Sequence, residues 1–123
     1  MTTTEQSPTT NQERDLFERV DLLISAFQRL HKEALMLHIY IPIHTDKKQC
    51  DYEIFYEGLN FKIYMHRKEK PTVSFYFSGT LGMLCCQDQI MTAKQQSQFN
   101  TIILTDIITA FKEKNFQKEH LPK

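Results

Sequence analysis

The sequence has no surplus of charge, no long apolar run and little glycine, and each shortage removes a class of protein. Lys plus Arg number 15, as do Asp plus Glu. The whole molecule therefore offers no field to steer it toward DNA or an anionic membrane, and a nucleic-acid role must rest on a local patch. No segment approaches the roughly 18 uninterrupted apolar residues of a membrane helix, and the opening MTTTEQSPTT lacks the basic start, apolar stretch and cleavage site of a general secretory signal. The three glycines, Gly58, Gly79 and Gly82, build no phosphate-cradling loop of Walker or dinucleotide type. Three cysteines are an odd number, and two of them are adjacent, which disfavours a disulfide scaffold and fits a reducing, cytoplasmic setting.

What is present is one domain's worth of core. With 41% hydrophobic residues in 123, the chain can fold without a metal or disulfide framework. Residues 1–12, rich in Thr, Gln and Ser, show no apolar period and are expected to form a disordered leader. Leu16, Val20, Leu23, Phe27, Leu30 and Ala34 then step by three and four, with Phe17 and Ile24 widening the stripe, which predicts an amphipathic helix. The same spacing satisfies a coiled-coil seam of about three heptads, so core helix and homodimer seam both stand as readings.

Strand periodicity follows. Leu35, Leu37, Ile39, Ile41 and Ile43 alternate with Met36, His38, Tyr40 and Pro42, and the proline places that strand at a sheet edge or ends it there. Around Gly58 two strands form a hairpin in which Tyr52, Ile54 and Tyr56 share a face with Leu59, Phe61, Ile63 and Met65. Its turn is either type I′ at Glu57-Gly58, which sets Glu53 opposite Lys62, or type II′ at Gly58-Leu59. A fourth strand points Val73, Phe75 and Phe77 inward and Ser74 and Tyr76 outward, and residues 81–91 admit a short fifth. From Thr92, with Gln95 at capping-box spacing, a long helix is predicted with Phe99, Ile102, Ile103, Ile107, Ala110 and Phe111 on one face. The fold class expected is α+β: an N-terminal helix, an antiparallel meander of four or five strands, and a long C-terminal helix packed on the sheet. Residues 13–116 form the domain, and residues 117–123, charged and proline-ended, form a flexible tail.

Chemistry is sparse. Cys85 and Cys86 have no Lys or Arg within several residues to lower a thiol pKa, and read as small buried hydrophobes. No cysteine pair has the spacing of a zinc knuckle, so neither metal nor cofactor is expected. Asp51 and Glu53, two apart on a strand, read as a solvated face. The outward sheet face is more informative, because Tyr40, Phe55, Tyr64 and Tyr76 alternate away from the apolar rows with Lys62, His38 and His66 among them. If both helices pack on the other side, these aromatics form a contact surface for another protein.

The leading expectation is a non-catalytic protein-binding module, an adaptor, secretion-type chaperone or inhibitor/immunity-like protein. The helix-sheet-helix layout resembles that of small secretion chaperones and dimeric adaptors in outline, without a shared motif. Contact is expected through Leu16 and Phe17 at an exposed helix start, or through Tyr40, Phe55, Tyr64 and Tyr76, with a homodimer formed by the first helix or the sheet. The alternative is a single-stranded nucleic-acid binder using Tyr64, Tyr76, Lys62 and the 67–70 loop. A thiol-dependent enzyme using Cys85 or Cys86 with His66 is a third reading.

Overall fold

A computed structural model describes residues 11–123. The leader expected over residues 1–12 lies outside the described residues up to residue 10, while Asn11 and Gln12 already belong to helix α1 (Asn11–Leu30). The elements that follow are β1 (Leu35–His44), β2 (Gln49–Glu57), β3 (Asn60–Arg67), β4 (Val73–Ser78), β5 (Met83–Cys86), β6 (Gln89–Ile90), α2 (Ala93–Gln98), a π-helical segment (Phe99–Leu104), α3 (Thr105–Lys112) and β7 (Gln117–Pro122). The fold is α+β with one antiparallel sheet of seven strands in the order β6-β5-β4-β3-β2-β1-β7. Six strands form a meander. The helical segment then carries the chain from one edge of the sheet to the other, where β7 pairs beside β1. Among the described residues, no helix is long and apolar enough to cross a membrane.

The central hairpin resolves the two registers open in the sequence. Glu57 pairs with Asn60, leaving Gly58-Leu59 as the two-residue turn. Gly58 has φ +63° and Leu59 is not in the left-handed region, as a type II′ turn requires. Lys62 consequently faces Phe55, and Glu53 faces Tyr64. Tyr52, Ile54 and Tyr56 lie opposite Met65, Ile63 and Phe61 on the inner face, and Leu59 sits in the turn itself, half exposed.

The stripe of α1 is used on its own sheet. Leu16, Val20, Leu23, Ile24 and Phe27 are buried in one core with Leu37, Ile39, Ile41, Ile54 and Ile63, and the Phe27 ring meets Tyr56 at 5.2 Å and Phe61 at 5.7 Å. The helix ends at Leu30 rather than continuing to Ala34, which lies at φ +67° and turns the chain into β1. With its apolar face filled, α1 leaves only Leu22 strongly exposed among its large hydrophobics, so the coiled-coil seam expected of it has no continuous stripe left.

The C-terminal helix starts as the sequence predicts, at a capping box in which Thr92 and Gln95 satisfy each other's backbone N–H groups. Its middle departs from the expectation of one regular helix and widens into the π segment. Asn100, 8% exposed, sits there. Its side-chain amide donates to Asp15 Oδ2 at 2.8 Å, and Arg19 Nη1 donates to both its main-chain and side-chain oxygens at 2.7 Å. The polar group that the widened turn buries is thus satisfied from α1. On the sheet side, the Tyr52 hydroxyl donates to Asp106 Oδ2 at 2.6 Å and Lys48 Nζ pairs with the same oxygen. Burial first, and then this carboxylate, push the Tyr52 phenol far up, so it remains a donor.

The last correction concerns residues 117–123, expected to be a flexible tail. Residues 117–122 form β7, paired along Leu35–Tyr40. Phe116 stacks on Phe111 at 4.6 Å just ahead of the strand, and His120 Nε2 lies 3.0 Å from the Leu30 carbonyl. Main-chain pairing to an open edge needs no apolar alternation, and so QKEHLP forms a strand without its usual pattern. Pro42 fits the same edge. It lies beyond Tyr40, where coverage by β7 ends, and its carbonyl accepts from Asn115 Nδ2 at 3.2 Å. Its missing N–H therefore faces the uncovered side.

Two stability effects follow. Asn100→Ala leaves Arg19 and Asp15 short of partners in a half-buried setting and should destabilise the protein by roughly 1–3 kcal/mol, read from urea unfolding. Lys114 has φ +55° where α3 closes in a Schellman pattern, with Asn115 N bonded to Ala110 O and Lys114 N to Phe111 O. Lys114→Gly should therefore raise stability by about 0.5–1 kcal/mol in the same assay.

Candidate partner-binding face

Because every strand alternates, the type II′ turn that puts Ile54 and Ile63 under the helices puts their neighbours on the opposite face. Across that face one row reads Glu119, His38, Phe55, Lys62, Tyr76 and Cys85, and the next reads Gln117, Tyr40, Glu53, Tyr64 and Ser74. The buried residues of all the helices belong to the core on the other side, so among the described residues no helix covers this face.

A chain of hydrogen bonds runs across it. His38 Nδ1 lies 3.0 Å from Glu119 Oε1 and its Nε2 lies 3.1 Å from Glu53 Oε2. The other Glu53 oxygen lies 2.7 Å from His66 Nε2, and His66 Nδ1 is 3.0 Å from Thr72 Oγ1. Four strands, β7, β1, β2 and β3, and the flank of β4 at Thr72 are thereby tied through one carboxylate. A neutral imidazole carries one N–H, so His38 donates to both its carboxylates at once only as the imidazolium. Burial alone would raise the Glu53 carboxyl, but the hydrogen bonds and positive charge of His66 and His38 outweigh it and hold Glu53 below the ordinary carboxylate value. A second pair, His44 Nε2 and Asp51 Oδ1 at 2.7 Å, stands nearby.

The aromatics interleave with this chain. Phe55 stacks on His38 with centroids 4.6 Å apart and meets Tyr64 edge-on at 5.9 Å. Tyr64 in turn lies parallel to His66 at 6.3 Å, with Lys62 Nζ 5.2 Å from its ring centre. Phe55 and Tyr64 are therefore the contiguous centre of the face. Tyr40 stands across Glu53 from Tyr64, and Tyr76, 37% exposed, stands across Lys62 from Phe55. Burial, then the Asp51 and Glu53 carboxylates, push the Tyr40 phenol up, so it presents a protonated hydroxyl.

The helix-start residues fall elsewhere. Leu16 is 1% exposed and belongs to the core, and Phe17 is half-buried against it. Neither forms the exposed contact expected of them, because α1 is already helical from Asn11 and Leu16 lies a full turn inside. What sequence reasoning missed is the role of Glu53. Its outward face was readable from alternation, but its place beside His66 required the hairpin register that sets Glu53 opposite Tyr64 rather than Lys62, and Glu119 lay in a segment that showed no strand pattern.

The thiols separate. Cys85 pairs with Tyr76 on the outer face and Cys86 with Phe75 on the inner. Burial pushes the Cys86 thiol up, and it also dominates at Cys50, whose thiol is raised despite Tyr52 and Lys48. Both are thus poorer nucleophiles at neutral pH. Among the described residues no group of three His, Cys, Asp or Glu side chains is arranged to hold a metal ion. Comparisons with protein-family models, curated proteins and solved structures find no match to the chain.

The lowered carboxyl gives a pH dependence with a defined sign. Stability contributed by ionised Glu53 is fully present above the ordinary value of about 4.3 and is lost as pH falls through its lower folded value. Glu53→Gln should cost on the order of 0.5–1 kcal/mol at pH 5.5, a modest amount because the pair is partly solvated. The difference from wild type should shrink as pH falls below the ordinary carboxylate range, as followed by urea unfolding across pH.

Proposed function

We propose that this chain is a non-catalytic protein-binding module that presents the uncovered sheet face to another protein, in the manner of an adaptor, chaperone or inhibitor. The observation that carries this reading is the Phe55–Tyr64 pair, held by His38, His66 and Lys62 at the middle of a face that no helix covers among the described residues. Rigid aromatics surrounded by hydrogen-bonded polar groups are the composition of an interface centre and its rim. The alternating charges favour a protein that brings its own acids and bases, rather than a polyanion. Glu53, Asp51 and Glu119 lie on the same face as Lys62, which weighs against the single-stranded nucleic-acid reading. Three free cysteines, two of them buried, are in keeping with a cytoplasmic setting.

The decisive comparison is capture by wild type and by a Phe55→Ser/Tyr64→Ser variant from lysate of the native cells, with and without nuclease. A near-stoichiometric protein that survives nuclease and is lost by the variant supports the proposal. Loss of affinity should exceed about thirtyfold, as for hot-spot residues contributing 2 kcal/mol or more. The variant should keep a cooperative melt within several degrees of wild type. Capture that disappears with nuclease, or that the variant retains, overturns the proposal.

A further inference from the structure

The other side of the sheet carries a separate feature. Between the inner face of β3–β5 and the π segment lies a cavity of about 420 Å³, within the range of small-molecule sites. Met65, Val73 and Phe75 wall it from the sheet, and Phe99, Ile102 and Ile103 wall it from the helical side. The widened turn leaves Ile102 46% exposed, so apolar surface faces the cavity instead of closing it.

The polar part of the wall is one-sided. It consists of Lys48, Arg67, Gln95 and Gln98, with no carboxylate among the lining residues. Lys48 is already paired with Asp106. Arg67 has no ion-pair partner among the described residues, and its Nε is buried without a hydrogen-bond acceptor. A buried guanidinium N–H lacking an acceptor is costly, and it is relieved best by a carboxylate, which accepts two parallel N–H bonds.

We propose that this cavity binds a small amphiphilic carboxylate, with its apolar chain between Phe75 and Ile102 and its head group on Arg67. Charge complementarity selects the head group, and the apolar walls select the tail. Gln95 and Gln98, which also line the cavity, carry side-chain amides that supply further donors. The site lies opposite the aromatic sheet face, so it stands or falls independently of partner binding there.

The test is isothermal titration of the full chain with decanoate, and separately with decanol, below the micellar range of each. The expected result is one decanoate per chain, bound at least about tenfold more tightly than decanol. Arg67→Gln should lose that preference while retaining decanol binding. Ile102→Trp, a substitution at a half-exposed position that fills the cavity, should abolish binding of both with little change in melting temperature. Equal affinity for decanoate and decanol overturns the proposal. So does decanoate binding unchanged in either folded variant, binding only at many weak sites, or no heat of binding to folded wild type.

Discussion

Gly58 adopts a left-handed conformation that lets β2 and β3 reverse in two residues, and that turn decides which half of the central hairpin faces the helices. Adding one residue to the turn would slide β3 by one and exchange its faces. Phe61 and Ile63 would meet solvent, and Lys62, Tyr64 and His66 would enter the core. The apolar core and the Glu53 hydrogen-bond chain are thus two sides of one backbone choice. The turn is also braced from β4. Gly79 donates its N–H to Asn60 Oδ1 at 2.9 Å, and a Cβ there would come within 2.3 Å of the Leu59 carbonyl oxygen. A side chain at Gly79 would push directly on the segment that sets the parity.

With that parity set, one face of a seven-strand sheet has to be covered by α1 and a single helical crossing. The crossing must reach from the β6 edge to the β7 edge and still keep Phe99, Ile103, Leu104, Ile107 and Ala110 pointing down. The π segment adjusts the helical phase midway, and Arg19 and Asp15 of α1 satisfy the buried polar groups of its Asn100. The Tyr52–Asp106–Lys48 contact does the same on the sheet side. Polar contacts at two points therefore hold a helix whose apolar packing alone would tolerate several phases.

Much of this was legible from residue spacing. The α1 stripe, the inward rows of β1 to β4 and the capping box at Thr92 follow from local periodicity and local hydrogen bonding, which need no tertiary partner to be recognised. The pieces that escaped depend on the rest of the fold. The π segment reads as an ordinary helix because Phe99, Ile102, Ile103 and Ile107 suit either winding. β7 is invisible because an edge strand takes its bonds from the neighbouring main chain, and Lys118 and His120 on its inner side look like loop residues. The site shows the same division: Tyr40, Phe55, Tyr64 and Tyr76 were found by alternation. Their unequal grouping around Glu53 and Lys62 required a register that the sequence left as two alternatives, and the exclusion of Leu16 required knowing where α1 begins.

The pairing of β7 with β1 has a consequence for how the molecule is made. His38 and Glu119, which meet across that pair, are 81 residues apart in the chain. Contacts of such separation form late, since the loop between them must be closed before the bonds repay its entropy. During synthesis β1, one of the most apolar strands, therefore carries an unpaired edge until the sheet, the helical crossing and β7 have all emerged. Over that interval its protection from strand addition by another nascent chain is local. Pro42 offers no N–H to such a neighbour, and the left-handed residue Ala34 bends the chain away at the other end.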